Sequence, residues 1–250
     1  MKREFDHCAA DYARYRPPYP TDVFDELDRM AAHRVPRRVA DVGAGTGIFA
    51  RLLARSGWRV VAIEPSLAML AHVGGDDKLN IVRVCATAEA TGLCDASVGL
   101  VTAAQAFHWF NPPYALAEIA RILAPGGSLA LIWNNRDATR SAFVESYETL
   151  IARYNPAYER EYRTQDWAGK IAVSGAFEPA EHHVFAHDWV MMAEDFVGFS
   201  RSVSYIRNVL SREDMPRFEG DLRGLLREHF NEGSARIPLR TEMWSARRLA

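Results

Sequence analysis

A chain of 250 residues, 48% hydrophobic and 25% charged, is long enough for one α/β domain with a full core and too apolar for disorder. Its formal net charge of −2 comes from 30 basic residues interspersed with 32 acidic ones, which gives no global electrostatic footprint for nucleic acid or an anionic membrane. Cys8, Cys85 and Cys94 are too widely spaced for a zinc or redox pair, no apolar run spans a bilayer and the charged, aromatic N-terminus is unlike an export signal, so a reducing cytoplasm is expected.

From residue 37 to 135, apolar β-branched runs alternate with amphipathic stretches, the pattern of repeated βαβ units and a mostly parallel sheet. RRVADV reads as the first strand, TGIFARLLARSG as a helix stopping at Gly57, and WRVVAIEP as a second strand ending in an acidic residue and a proline. SLAMLAHV follows as helix, LNIVRVCA as strand and SVGLVTAAQ as the fourth strand. NPPYALAEIARILA is a helix closed by Pro125-Gly126-Gly127, and SLALIWNN a fifth strand. Beyond these, AFVESYETLIARY reads as helix, EHHVFAHDWVMM as strand, 194–230 as two helical stretches and IPLRTEMWSARRL as a terminal strand. The expected organisation is one domain over 1–250: an N-terminal lid (1–30), a cofactor-binding core (37–135), an acceptor-binding helical region (140–230) and a terminal strand (235–250).

The chemistry concentrates in DVGAGTG, Asp41 to Gly47. Glycines at a strand-to-helix turn let the backbone approach a ligand, and the helix beyond supplies unpaired N–H groups. The nicotinamide-dinucleotide fingerprint needs a third small residue where Ile48 stands, so that match fails by one position. Asp41, two places before the first glycine, suits a cofactor bearing positive charge, such as the amino-acid part of S-adenosylmethionine. Glu64, at the end of the second strand, is placed to accept both ribose hydroxyls.

D-V-G-A-G-T-G, the I-E-P of Ile63 to Pro65, the A-T-A-E of 86–89 and the A-P-G-G of 124–127 come in an order and spacing that resembles a class I S-adenosylmethionine-dependent methyltransferase. F-D-x-x-A-x-x-Y-x-x-x-R-P-x-Y-P from Phe5, A-x-A-F-H-W-F and W-N-x-R-D narrow the resemblance to a small-molecule branch. That branch includes methyltransferase type 11 and trans-aconitate methyltransferase-like enzymes and many methyltransferases of natural-product pathways. The resemblance covers residues 5–140 and implies a Rossmann-like seven-stranded sheet, mostly parallel, flanked by helices, with a helical lid or insertion. It implies cofactor contact from Asp41, Gly43, Gly45, Glu64 and Pro65, adenine contact around Ala88 and Glu89, a pocket floor at Gln105, and a lid carrying Tyr12 and Arg16, with Arg16 paired to the cofactor carboxylate.

His108, at the carboxyl end of the fourth strand, is the candidate general base; the duller alternative is that it orders the loop or hydrogen-bonds the substrate. Phe5, Tyr15, Tyr19, His108, Trp109 and Trp133 fall in segments expected to converge on the acceptor and favour a planar or partly apolar one. Asn111-Pro112-Pro113-Tyr114 matches the tetrapeptide with which DNA-base methylating enzymes hold the base. Here it lies beyond the strand end and fits a helix N-cap followed by proline. His182, His183 and His187 do not suggest a metal site, since strand alternation turns His182 away from the other two; no metal is expected. The expected activity is methyl transfer to an oxygen or nitrogen of a small metabolite, without nucleic acid or membrane as partner. A silent cofactor-binding subunit or sensor, or a nucleic-acid or protein methyltransferase, stands as the alternative.

Overall fold

The computed structural model describes residues 15–31, 37–74, 79–160, 165–230 and 233–249. The 37–135 segment folds as its periodicity demands: β1 (Arg38–Val42), α2 (Ile48–Arg55), β2 (Arg59–Ile63), a short α3 (Leu67–Leu70), β3 (Ile81–Val84), β4 (Val98–Ala104), α4 (Pro112–Ile122) and β5 (Leu123–Arg136), preceded by α1 (Thr21–Met30). After these come α5 (Ala142–Tyr154), α6 (Trp167–Val173), β6 (Glu181–Met192), α7 (Ala193–Ser202), α8 (Ser204–Arg207), α9 (Asp214–His229) and β7 (Ser234–Arg247).

The seven strands form one sheet in the order β3-β2-β1-β4-β5-β7-β6. Strands β1 to β5 pair in parallel, while β7 runs antiparallel to both β5 and β6. The chain steps outward from β1 to β2 and β3, then crosses back to β4, so connections leave β1 and β4 in opposite directions. Such a switch point opens a crevice at the carboxyl ends of the two strands, where open α/β sheets bind ligands.

Strand alternation on β5 assigns side chains to the two faces. Leu129, Leu131 and Trp133 join α4 and α6 in one core cluster, while Ala130 and Ile132 join α1 and α2 in another. A third cluster packs α5, α7 and α9 over β6 and β7, with Phe143, Phe196, Phe218 and Ile237 among its buried members. Helix α1 buries Val23 and Leu27 completely, and the Trp58 indole N–H donates to Asp28 at 2.9 Å. Residues 21–30, expected within the lid, therefore pack into the core.

Other boundaries differ for local reasons. The helix expected over 66–73 shrinks to one turn, capped by Ser66, whose hydroxyl accepts from the Met69 N–H. Pro125-Gly126-Gly127 lies inside a lengthened β5 instead of closing α4, and the β4–β5 register shifts there between Val98 and Leu100. Helix α6 was not foreseen; Asp166 caps it by accepting the Gly169 N–H.

Candidate active site

The turn from β1 into α2 holds three glycines in left-handed backbone, with φ of 70° at Gly43, 56° at Gly45 and 79° at Gly47. A Cβ at Gly43 would stand 2.5 Å from the Ala106 Cβ, and one at Gly47 would stand 2.9 Å from Val73. Nothing lies within 4 Å of a Cβ built on Gly45. The outer glycines are needed for packing, whereas the middle one leaves open space against which a ligand can lie.

Asp41, on β1, is buried at 1% exposure; one carboxylate oxygen accepts the Thr102 hydroxyl from β4 at 2.8 Å. Its other oxygen has no hydrogen-bond partner among the described residues. Burial pushes its pKa up to about 7, assisted by the nearby Glu64 charge and opposed by the Thr102 hydroxyl and the Ala50 N–H. Glu64, just past β2, accepts the Gly45 N–H at 3.0 Å and the Ser66 N–H at 2.9 Å. Burial raises its pKa too, although both backbone N–H groups favour the charged form. Each of its oxygens keeps a second lone pair. A buried carboxylate oxygen without a partner, an open glycine and a second carboxylate together make a site for a ligand with cationic and hydroxyl groups.

The chain leaves β4 through Gln105, which adopts φ of 57°, a strained value for a residue with a Cβ. Its backbone N–H donates to Ile132 at 2.8 Å and its amide to the Asn134 carbonyl at 3.2 Å. The Asn134 side chain donates to the Pro18 carbonyl at 3.0 Å and accepts from the Thr241 hydroxyl. These bonds tie the segment before α1 across the ends of β4 and β5.

A continuous cavity of about 350 Å³ runs along these strand ends. Asp41, Gly43, Gly45, Glu64, Pro65, Ala88, Glu89 and Gln105 all line it, as do Arg16, Tyr19, His108 and Trp109. Glu89 also accepts the Asn111 N–H at 2.9 Å, pinning the loop after β4. The Arg16 guanidinium lies 5.5 Å from the Phe199 ring centroid.

Three expected residues fall elsewhere or take another form. Trp133 points to the opposite face of the sheet, fully buried, stacked on Trp167 at 4.5 Å and edge-on to Trp244. Tyr15 does not line the cavity; its ring packs so closely on Gly198 that a Cβ there would come within 2.8 Å. Asn111 takes the N-cap position of α4 with proline following, but its side chain makes no capping bond. Phe5 and Tyr12 lie outside the described residues.

Sequence reasoning missed Thr102, which orients Asp41, and the far wall of the cavity: Arg136 on β5, Trp189 on β6, Phe199, Val203, Ser204 and Tyr205 around α7 and α8, and Leu239 on β7. Among the described residues no three His, Cys, Asp or Glu side chains gather as a metal site, and no helix is long and apolar enough to cross a membrane. His182 instead stacks on Trp244 at 4.3 Å, while His183 and His187 meet the hydroxyls of Ser245 and Thr241.

A methyltransferase-domain family model matches residues 40–131, from β1 into β5. Over those residues the chain is similar to the class I S-adenosylmethionine-dependent methyltransferases. An uncharacterised methyltransferase of Mycobacterium tuberculosis is 41% identical over 61% of this chain and 60% of its own length, so the chain spans about 60% of that curated relative. A solved protein from Anaeromyxobacter dehalogenans, provisionally assigned as a type II methyltransferase, is 27% identical with a TM-score of 0.69, covering 94% of this chain and 97% of that one. The Haemonchus contortus phosphoethanolamine N-methyltransferase 2 in complex with S-adenosylmethionine shares the fold, with a TM-score of 0.56 at 17% identity over all of this chain and 60% of that one. In this chain the glycine turn, Asp41 and Glu64 fit S-adenosylmethionine by their own geometry.

Proposed function

We propose that the protein transfers a methyl group from S-adenosylmethionine to an oxygen or nitrogen of a small-molecule acceptor, as in natural-product pathways. One observation carries this reading: a continuous cavity joins an acidic, glycine-lined end on β1 and β2 to an end lined by the aromatic residues Trp189, Phe199 and Tyr205 on β6, α7 and α8. A cleft closed by helices α7 and α8 suits a metabolite better than a polymer.

S-adenosylmethionine supplies a sulfonium-activated methyl, so the protein has to align the acceptor and, for a hydroxyl or protonated amine, remove its proton. Asp41 would meet the cofactor ammonium with its unpartnered oxygen, and Glu64 would accept the ribose hydroxyls on its remaining lone pairs. Pro65 and Ala88 provide apolar surface for the adenine beside Glu89, and Arg16 would pair with the cofactor carboxylate. Gln105, held in its strained turn, forms the floor at the end of β4. His108 lines the cavity just beyond that turn and would take the acceptor's proton, while Tyr19 and Trp109 hold the acceptor in line. The described cysteines, Cys85 and Cys94, are both free thiols, which accords with a cytoplasmic enzyme.

The test is a metabolite-extract screen with methyl-labelled S-adenosylmethionine, reading labelled products by mass. A labelled small molecule is expected. Label recovered in DNA, RNA or protein, or none anywhere while S-adenosylhomocysteine binds, would overturn the reading.

A further inference from the structure

Charge is segregated along the cavity. Its three acidic lining residues, Asp41, Glu64 and Glu89, all sit at the cofactor end; the far wall, built from β5, β6, β7 and the α7–α8 turn, carries Arg136 and no carboxylate among the described lining residues. Arg136 ends β5, and its side chain is only 5% exposed. Its Nε and Nη2 donate to Glu148 Oε1 at 2.8 and 2.5 Å, Nη2 donates to the Tyr158 hydroxyl at 3.2 Å, and Nη1 donates to the Tyr205 hydroxyl at 3.0 Å. Tyr158 in turn donates to Glu148 Oε2 at 2.8 Å, and the guanidinium lies 5.0 Å from the Tyr147 ring centroid.

These bonds use four of the five guanidinium N–H groups and leave one, on Nη1, at a residue that lines the cavity. Glu148 does not line it, and both its oxygens are engaged. Ser204, at the start of α8, lines the same wall, and its hydroxyl makes no hydrogen bond among the described residues. The neighbouring lining residues Trp189, Phe199, Val203 and Leu239 are apolar. A buried ion pair in such surroundings is seldom more stabilising than apolar side chains of the same volume, so stability alone does not account for Arg136.

We propose that Arg136 and Ser204 anchor an oxyanion of the acceptor, a carboxylate or phosphate on an otherwise apolar molecule, and that the methylated atom is a different atom of that molecule. The separation follows from the sheet. The last β4–β5 pair is Ala104 with Ile132, and Arg136 stands four residues further along β5, about 13 Å at the rise of a strand. The nucleophile is presented at the end of β4 by Gln105 and His108, so the anchor grips the opposite end of the acceptor. This inference rests on the methyl-transfer reading.

The experiment divides a metabolite extract on an anion-exchange resin at pH 7 and incubates the retained and unretained pools with methyl-labelled S-adenosylmethionine and wild-type, Arg136→Met or Ser204→Ala protein. Label should form in the retained pool, in a product that keeps the negative charge of its acceptor. Phosphatase treatment of the retained pool before incubation should abolish its labelling for a phosphate and leave it in place for a carboxylate. At limiting acceptor, Arg136→Met should slow transfer by about 100-fold and Ser204→Ala by about tenfold, with S-adenosylhomocysteine affinity unchanged in both. Ser204→Ala carries the test if Arg136→Met does not fold. Label in the unretained pool, a product less charged than its acceptor, or unaltered turnover by the folded variants would overturn the anchor while leaving methyl transfer standing. Loss of S-adenosylhomocysteine binding by the wild type, or no label in either pool, would remove methyl transfer and the anchor with it.

Discussion

Asp41→Asn offers a test in which the site's electrostatics appear as stability. Asp41 is buried with one oxygen unpartnered, and its pKa rises from 3.8 to about 7. A carboxyl whose folded pKa exceeds its unfolded value holds its proton more tightly when folded. Its contribution to stability is therefore intact below pH 4, declines between pH 4 and 7, and stays flat above. With about 1.4 kcal/mol per pKa unit, the full decline is about 4 kcal/mol, of which about 3 falls between pH 4.5 and 7.5. The amide is neutral throughout and keeps an oxygen for the Thr102 hydroxyl. In thermal unfolding of the empty protein followed by circular dichroism, the variant's Tm advantage over wild type should grow between those pH values by some 6–12 °C, using about 2–4 °C per kcal/mol for a chain of this size. S-adenosylmethionine affinity at pH 7.5 should fall by about 1.5–3 kcal/mol in the same variant, since a hydrogen bond between charged groups is lost. A Tm difference independent of pH would refute the claim that Asp41 is held charged against its desolvation.

Other substitutions separate the roles assigned above. Gly43→Ala should lose about 1–3 kcal/mol of stability in denaturant unfolding, and cofactor affinity with it, because the new Cβ meets Ala106 at 2.5 Å and the backbone stands at φ 70°; a variant of unchanged stability would show that the turn can relax. His108→Ala should keep cofactor affinity and slow transfer by about 100-fold or more, with the pH profile altered; full turnover would leave alignment alone as the mechanism. Asn111→Ala should change stability by less than about 0.5 kcal/mol, because its side chain makes no capping bond, and should leave transfer intact; abolished transfer without unfolding would revive a direct role in catalysis. Trp133→Phe should lower Tm without changing the KM of the acceptor, as expected for a ring stacked on Trp167 away from the cavity.

The sequence was most legible where local chemistry dictates geometry. The βαβ periodicity from 37 to 135 and the glycine turn with Asp41 and Glu64 are written in consecutive residues, because strand alternation, helix stops and close backbone approach are local properties. The direction of Trp133 is also local. Trp133 shares its parity with Leu129 and Leu131, which face the core cluster around α4, so the alternation of β5 alone turns it from the cavity. The capping bond expected of Asn111 gave way to a bond from its backbone N–H to Glu89, 22 residues earlier, a partner that only folding brings close. The far wall was illegible for the same reason: Arg136, Trp189, Phe199, Ser204 and Leu239 come from separate elements and meet because β7 inserts between β5 and β6. Only W-N-x-R-D held a signal, an arginine near the end of a buried strand.

The most direct measurement is calorimetric titration of the wild-type protein and Glu64→Ala with S-adenosylhomocysteine, and of the wild type with nicotinamide dinucleotides. The geometry of the glycine turn, Asp41 and Glu64 predicts binding of S-adenosylhomocysteine, a loss of about 1.5–3 kcal/mol in Glu64→Ala, and no heat from the dinucleotides. Dinucleotide binding without a response to S-adenosylhomocysteine, or a folded Glu64→Ala that binds as the wild type does, would contradict it.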